Sequence, residues 1–407
     1  MNNRVVISGI GMATPLGTGK AAFSRRLMEG GSGIAPISAF DTSALASRLG
    51  ASVADFSPRE FISTKNLRKM DRISALAAAS ARMALDDAGV RIDASSRDRT
   101  GIVLGTAFGS TDVAAQFAGV IFTEGPGVAS PFLVPNTVMN APAGHASIEL
   151  GFRGVNSTVN HREASGETAI AYAAAEILRG RADVMLAGGV DILSEFFFRI
   201  LTNFKAVSPA GGGPEGARPF DARRNGPVAG EGAGVVCLET RASAEARGVR
   251  PYCEIAGWGM SSAPAPPTDW PSDPRGPVLA ITRALTSAGI GPGDIDYVSA
   301  AANGGSRLDA LEAEALSIVF GSNRDKPHIG SIKGAAGESF SSGGIRAAAM
   351  AVSIKAGSIP PTVGLDDPIA SLNFVRDKKV EVPVAYGLVN GFSSGGTFVS
   401  LVLKKLQ

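Results

Sequence analysis

Nucleophilic and acid–base chemistry draws on Cys, His and carboxylate side chains, and this chain is poor in the first two. It holds two cysteines and three histidines among 407 residues. Cys237 lies in the apolar run AGVVCLE and Cys253 in YCEIAG; thiols inside such runs are core groups rather than activated nucleophiles. His145, in APAGHASIELG, fits a helix, and His328 precedes an apolar stretch. His161 stands two residues before Glu163 in NHREASG. Residues two apart at a strand end share a face, so a Glu–His contact is open there, although an interface role for His161 is the more ordinary reading. His and Cys are too few, and nowhere at ligand spacing, to suggest a zinc site. The Gly-rich segment GGPEGARPFDARRNG lacks the strand–GxxxxGK[ST]–helix setting of a phosphate loop.

The elements that must position these residues are legible in outline. With 44% hydrophobic and 19% charged residues, the chain can bury a sizeable core. Lys+Arg is 39 and Asp+Glu 37, a net charge of +2 with no charged block, so nothing calls for nucleic acid or an anionic membrane. Two cysteines cannot build a disulfide framework and point to a reducing compartment. The start, MNNRVVISGIGMATPLG, lacks a signal-peptide pattern. No apolar run approaches the roughly 20 residues of a membrane span, so a cytoplasmic protein is expected. The 51 glycines imply many tight turns and close backbone approaches.

The chain repeats itself. ISGIGMAT (7–14) matches IAGWGMSS (255–262), ALDDAGV (84–90) matches ALTSAGI (284–290), and ILRGRAD (177–183) matches IKAGSIP (354–360). Three pairs in one order indicate a duplication, with the halves 1–250 and 251–407 meeting in the polar stretch at 240–252. Strand and helix signals alternate, which predicts an α/β protein with mostly parallel sheets covered by helices. The end, VAYGLVNGFSSGGTFVSLVLKK, reads as two antiparallel strands joined by a Gly turn. The long loop at 205–232 is expected to serve a site or an interface.

Four segments carry a family resemblance. GFRGVNSTVNHREASGETAI (151–170), GARPFDARRNGPVAGEGAGVVCLE (216–239), IGSIKGAAGESFSSGG (329–344) and NGFSSGGTFVSLVL (390–403) resemble, in order and across nearly the whole chain, the β-ketoacyl synthases of the condensing-enzyme superfamily. The resemblance implies a thiolase-like fold: α/β, internally duplicated, in α-β-α-β-α layers with mostly parallel or mixed sheets. Family chemistry needs a cysteine at a helix start, where peptide dipoles lower its pKa. It also needs two histidines that donate hydrogen bonds as enolate charge develops. Here the nucleophile position is Glu163 and the histidine positions are Ala301 and Glu338, while Lys333 is retained. The frame survives at Gly154, Asn156, Ser165, Gly166, Asp309 and Gly337. Asn303 and Gly305 stand where threonines contact the pantetheine arm, and in the gate segment, with Phe392, Ser394 replaces a phenylalanine.

A carboxylate is a weak nucleophile whose acyl anhydride would hydrolyse. Ala301 offers no donor, and an ionised Glu338 would repel an enolate. No catalytic residue of its own is therefore expected, nor any metal or cofactor. At a helix start Glu163 would gain about 0.3–1 kcal/mol from the dipole. Family geometry places Lys333 near both glutamates, so Glu163 or Glu338 is expected to pair with Lys333 or Arg307 and plug the pocket.

Such chains resemble the chain-length-factor subunits of type II polyketide synthases. That resemblance implies a heterodimer with an active ketosynthase and work on a partner acyl carrier protein bearing phosphopantetheine. It implies a dimer strand over Ser157, Thr158, Val159, Asn160 and His161. Tunnel residues that set chain length are expected at Phe108, Thr111, Asp112, Ala115, Gln116, Phe132 and Leu133. The alternatives are a homo-oligomeric ketosynthase-like protein with altered acyl-thioester chemistry at Glu163/Glu338, and a carrier-protein scaffold.

Overall fold

The computed structural model describes residues 4–321 and 327–406. Five main-sheet strands come from the first half: β1 (Val5–Thr14), β2 (Thr100–Gly105), β3 (Asn156–Val159), β4 (Val184–Asp191) and β5 (Gly232–Thr240). Five come from the second: β6 (Cys253–Ser262), β7 (Tyr297–Ser299), β8 (His328–Gly330), β9 (Tyr386–Ser393) and β10 (Thr397–Lys404). They join in the order β8-β7-β9-β10-β6-β1-β5-β4-β2-β3, with the short strand Gly17–Thr18 attached to β1. From the β1–β6 contact outward, each half repeats the same path. Two antiparallel ladders come first, then two parallel ones. The sheet is thus mixed rather than mostly parallel. The cause is local at one place: β9 and β10 are a hairpin, turned through Gly395 and Gly396 at φ +86° and +88°.

The duplication extends to packing. Helix α1 (Arg72–Asp87) lies on β1, and α5 (Arg275–Ala288) on β6. A Cβ on Gly11 would sit 2.0 Å from the Ser80 carbonyl, and one on Gly259 2.1 Å from that of Ala280. The glycines of ISGIGMAT and IAGWGMSS are therefore the surfaces on which those helices rest. The helices α2 (Thr111–Glu124) and α4 (Glu195–Asn203) flank the first half, and α6 (Ser306–Phe320) the second.

At the centre lie α3 (Ser165–Leu178) and α7 (Gly343–Ala356). Both are Ala-rich and buried nearly all round, as a helix between two layers must be. Three of the hydrophobic clusters lie between the layers. One surrounds α3 and α7 and draws on both halves. The second lies under α1, and the third under α5 and α6. The halves thus share one core. The α-β-α-β-α layering is as expected. Helix α2 is the exception to burial: it is apolar, yet none of its residues is buried.

The helices α3 and α7 meet at their N-termini. A Cβ on Gly166 would lie 2.7 Å from the Gly343 nitrogen and 2.8 Å from its Cα, so Gly166→Ala must push backbone against backbone. It should destabilise the protein by about 1–3 kcal/mol in urea denaturation. Gly144→Ala, in a helix (Ala141–Leu150) with nothing within 4 Å of the new Cβ, should leave stability unchanged or slightly raised. Equal effects of the two would refute the contact.

Candidate functional site

Glu163 sits in a single 3-10 turn, Arg162–Ala164, immediately before α3. Arg162 adopts φ +49°, a left-handed backbone that a branched or long side chain enters only under constraint. The turn presents the Glu163 carboxyl to a cavity of about 890 Å3. There it accepts from the Ser394 backbone N–H at 3.2 Å and from the Ser394 hydroxyl at 3.2 Å. Among the described residues no cation bonds it. Burial first, and the nearby Glu338 charge as well, push its pKa up; Arg162 and Lys333 pull the other way.

Glu338 follows the short helical turn Lys333–Ala336 after β8. Lys333 donates to its Oε2 at 2.6 Å and the Asn303 side-chain amide at 2.8 Å, all three groups being buried. Of the expected pairings, Glu338 with Lys333 is therefore present. Arg307 is not used: it pairs with Asp269 at the surface. The pair forms without plugging the pocket, because Lys333 and Glu338 lie beneath the floor while Glu163, Asn303 and Ser394 line it. Ala301 presents only a methyl group; its N–H and that of Ala302 donate to the two oxygens of Glu312 at 3.0 and 2.7 Å.

No Glu163–His161 dyad forms. The His161 ring turns to the Thr168 hydroxyl at 3.2 Å. His145 bonds Asn136 at 2.7 Å and is a structural helix residue. His328 opens β8. Both cysteines are buried, and burial pushes the Cys237 thiol up to about 12 and raises Cys253 too, so neither supplies a thiolate near neutral pH.

Of the seven tunnel candidates, Phe108 alone lines this cavity. Its ring packs on Phe197 at 3.7 Å and Phe340 at 4.8 Å between centroids. Asp112 bonds Ser194. Thr111, Ala115 and Gln116 lie on the unburied helix α2, Leu133 is half-buried, and Phe132 is 88% exposed. Ser157, Thr158 and Val159 lie on β3, the outermost strand at one edge of the sheet, and Asn160 and His161 follow it. In the gate segment the two residues part company. Ser394 lines the cavity, whereas Phe392 is buried against Phe398, rings 5.3 Å apart, away from the cavity. The strand ends at Ser393, so the rule that puts i and i+2 on one face does not carry from Phe392 to Ser394 in the turn. The 205–232 loop does serve the site: residues 205, 206, 210–212 and 222–227 form its wall.

Sequence reasoning missed the ion pair that joins the central helices. Glu167, in the first turn of α3, meets Arg346, in the first turn of α7, and both side chains are fully buried. Arg346 also donates to the carbonyls of Ala300 and Asn390. The available signal was a charge in the first turn of each Ala-rich segment, Glu167 in SGETAIAYAAAEIL and Arg346 in GGIRAAAMAVSIKA; charges set among apolar helix residues require partners. It also missed Asp191 at the end of β4. Its carboxyl accepts from Thr106, Ala107, Phe108 and both the N–H and hydroxyl of Ser341. Burial pushes it up to about 6 against those donors.

Ten strands in two mirrored paths around two buried helices, with a cavity at the N-terminus of one of them, define a thiolase-like condensing-enzyme fold. Residues 2–244 match the model of the β-ketoacyl synthase N-terminal domain and residues 252–366 that of its C-terminal domain. The chain belongs to the β-ketoacyl synthase family. It is 33% identical to a 3-oxoacyl-[acyl-carrier-protein] synthase 2 of Synechocystis sp., covering 99% of this chain and 98% of the relative. Against the protein of that name in Vibrio harveyi the identity is 34%, with 99% of each covered. The solved ishigamide ketosynthase/chain length factor superposes with a TM-score of 0.93 at 30% identity over 100% of both chains.

Two outcomes test the floor. Lys333→Met leaves Glu338 buried without its cation and should cost about 3–5 kcal/mol in chemical denaturation; unchanged stability would exclude the pairing. Glu163 titrates higher in the folded than in the unfolded chain, so the folded state holds the proton longer. Its contribution is complete below the unfolded value and is lost as pH rises through the folded one. The melting temperature of Glu163→Gln relative to wild type should therefore climb as pH rises above the ordinary glutamate value. A difference flat in pH would mean that Glu163 is ionised throughout.

Proposed function

We propose that this chain is a non-catalytic chain length factor, which heterodimerises with an active ketosynthase in a type II polyketide synthase and helps set the length of the acyl chain. The observation that carries this reading is the state of the three chemical positions within an intact frame. Glu163 cannot act as a thiolate, the Ala301 side chain has no donor, and the Glu338 carboxyl is already held by Lys333 and Asn303. The named 3-oxoacyl synthases match this chain over nearly its whole length. The likeness to the ishigamide ketosynthase/chain length factor supports the same assignment.

Surface properties support a partner. The edge strand β3 offers unpaired backbone groups, and the chain from the end of helix α2 to residue 138 exposes Phe122, Val128, Phe132 and Val138. A homologous ketosynthase would cover this face. The carrier protein's phosphopantetheine thioester would then be processed in the partner, and Phe108, Thr111, Ala115, Gln116, Phe132 and Leu133 would act through packing, since a chain that clashes loses the transition state. The chain would work in the cytoplasm; among the described residues no helix is long and apolar enough to cross a membrane. A second reading, acyl-thioester chemistry at Glu163 itself, is favoured by the open cavity that reaches it.

Native mass spectrometry of the tagged chain purified from its own host separates the two. The expected result is a 1:1 complex with a second chain of similar mass, acylated on that chain alone after incubation with acyl carrier protein. A homodimer carrying an acyl adduct on this chain would overturn the proposal in favour of the second reading.

A further inference from the structure

Three rings that pack on one another come from three separate segments. Phe108 belongs to the loop between β2 and α2, Phe197 to α4, and Phe340 to the segment before α7. Together they form one wall of the cavity. Ring contacts contribute only about 0.5–1.5 kcal/mol each beyond burial, so a fixed wall needs fixed backbones. Asp191, the last residue of β4, supplies the fixing group. Its carboxyl is buried, and among the described residues no cation neutralises it.

The carboxyl divides its bonds between the two halves of the chain. Its Oδ1 accepts from the Thr106 hydroxyl at 2.9 Å, the Ala107 N–H at 3.1 Å and the Phe108 N–H at 3.2 Å. Its Oδ2 accepts from the Ser341 N–H at 2.9 Å and the Ser341 hydroxyl at 2.5 Å. The Thr106 hydroxyl in turn accepts from the Gly109 N–H at 2.9 Å, so Phe108 is bracketed on both sides. Thr106 also donates to the Val159 carbonyl, and Asn160 to that of Ala107, but both of these bonds lie upstream of Phe108. Phe340 stands at φ +51°, a left-handed backbone that a bulky residue holds only under constraint. Ser341 supplies that constraint on one side. Three residues beyond Asp191, Ser194 caps α4 by accepting from the Phe197 N–H at 3.2 Å. The same strand end therefore sets the third ring.

We propose that Asp191 is the positioning residue of this wall. It touches no acyl group itself, but it holds Phe108 and Phe340 by their backbones and so fixes the length of chain that the assembly makes. This rests on the chain-length reading, in which bulk acts by clashing with a chain that grows too long. Bulk stops a chain only if it cannot give way, and a ring on an untethered loop gives way easily. Hydrogen bonds to a carboxylate are roughly twice as strong as neutral ones, and here one carboxylate gathers them from two distant segments. An amide in its place would accept through a single oxygen. Its NH2 group would face either the Thr106–Phe108 donors or those of Ser341, donor against donor. Asp191→Asn thus releases one side of the wall at constant side-chain size.

Two measurements test this, on the chain in the assembly in which it purifies. Hydrogen exchange reads the tether itself. In Asp191→Asn the amides of Ala107, Phe108 and Ser341 should exchange at least about tenfold faster, while those of α3 keep their wild-type rates. Product analysis reads the consequence. Chains made with Asp191→Asn should be more dispersed and longer by at least one extension unit. A subunit that is merely less stable would lower every product in proportion and leave the lengths as they were. In a Phe108→Ala, Phe340→Ala background, Asp191→Asn should add no further lengthening, because it acts through those rings. Should Asp191→Asn not fold, Thr106→Val and Ser341→Ala, which each take one hydroxyl from the carboxyl, should shift the lengths in the same direction. Wild-type exchange at these amides, or unchanged product lengths in a complex that elongates, would overturn the proposal. A wild-type chain that joins no elongating complex would overturn the chain-length reading instead, and exchange in the chain alone would then decide whether Asp191 places the wall.

Discussion

The structure depends on the contact between two helix N-termini in its centre. Helices α3 and α7 abut through Gly166 and Gly343, where no Cβ fits. Two positive dipole ends brought this close repel each other. The Glu167–Arg346 pair lies across the contact, supplying an anion to one end and tying both helices to the carbonyls of Ala300 and Asn390. Around this pair the strands of both halves close, and their shared core follows from it. The position of Glu163 follows too, because it occupies the turn that leads into α3.

The buried charge is managed by distribution. Glu338 is matched by Lys333, Glu167 by Arg346, and Glu312 is held by the N–H groups of Ala301 and Ala302 and by the Asn390 amide. Burial also pushes Asp309 up to about 7, although the N–H groups of Phe220, Asn303 and Gly304 point at it. Asp309 and Glu338 both hold Asn303, which lines the cavity. Glu163 alone of the group faces open space, and that places it at the inner end of a site rather than within the scaffold.

Much of the fold was legible from short patterns. The paired segments ISGIGMAT and IAGWGMSS became β1 and β6, at the axis of the duplication, and their glycines carry α1 and α5. Apolar alternation around a double glycine foretold the β9–β10 hairpin. The mixed sheet was less legible, because strand direction is set by partners distant in sequence: β5 pairs with β1 and β4 in an antiparallel sense although all three read alike as apolar runs. In the site, the nearness of Glu163 and Glu338 was read from their places in the chain, and the structure brings both to the same cavity region. The partner of Glu338 was found only as one of two cations, and the burial of Phe392 was not foreseen.

The sequence by itself determined that positions 163, 301 and 338 hold a glutamate, an alanine and a glutamate, because residue type is fixed before folding and no folding can turn them into a thiol or an imidazole. It also determined the duplication and the run of elements, since periodicity and glycine spacing are local. The tertiary structure decided which charges meet and what stays open. Lys333 had two glutamates within the same neighbourhood, and a distance of 2.6 Å chose Glu338. Whether the former pocket was filled or empty depended on the depth of that pair below the floor, a quantity set by backbone placement from both halves at once.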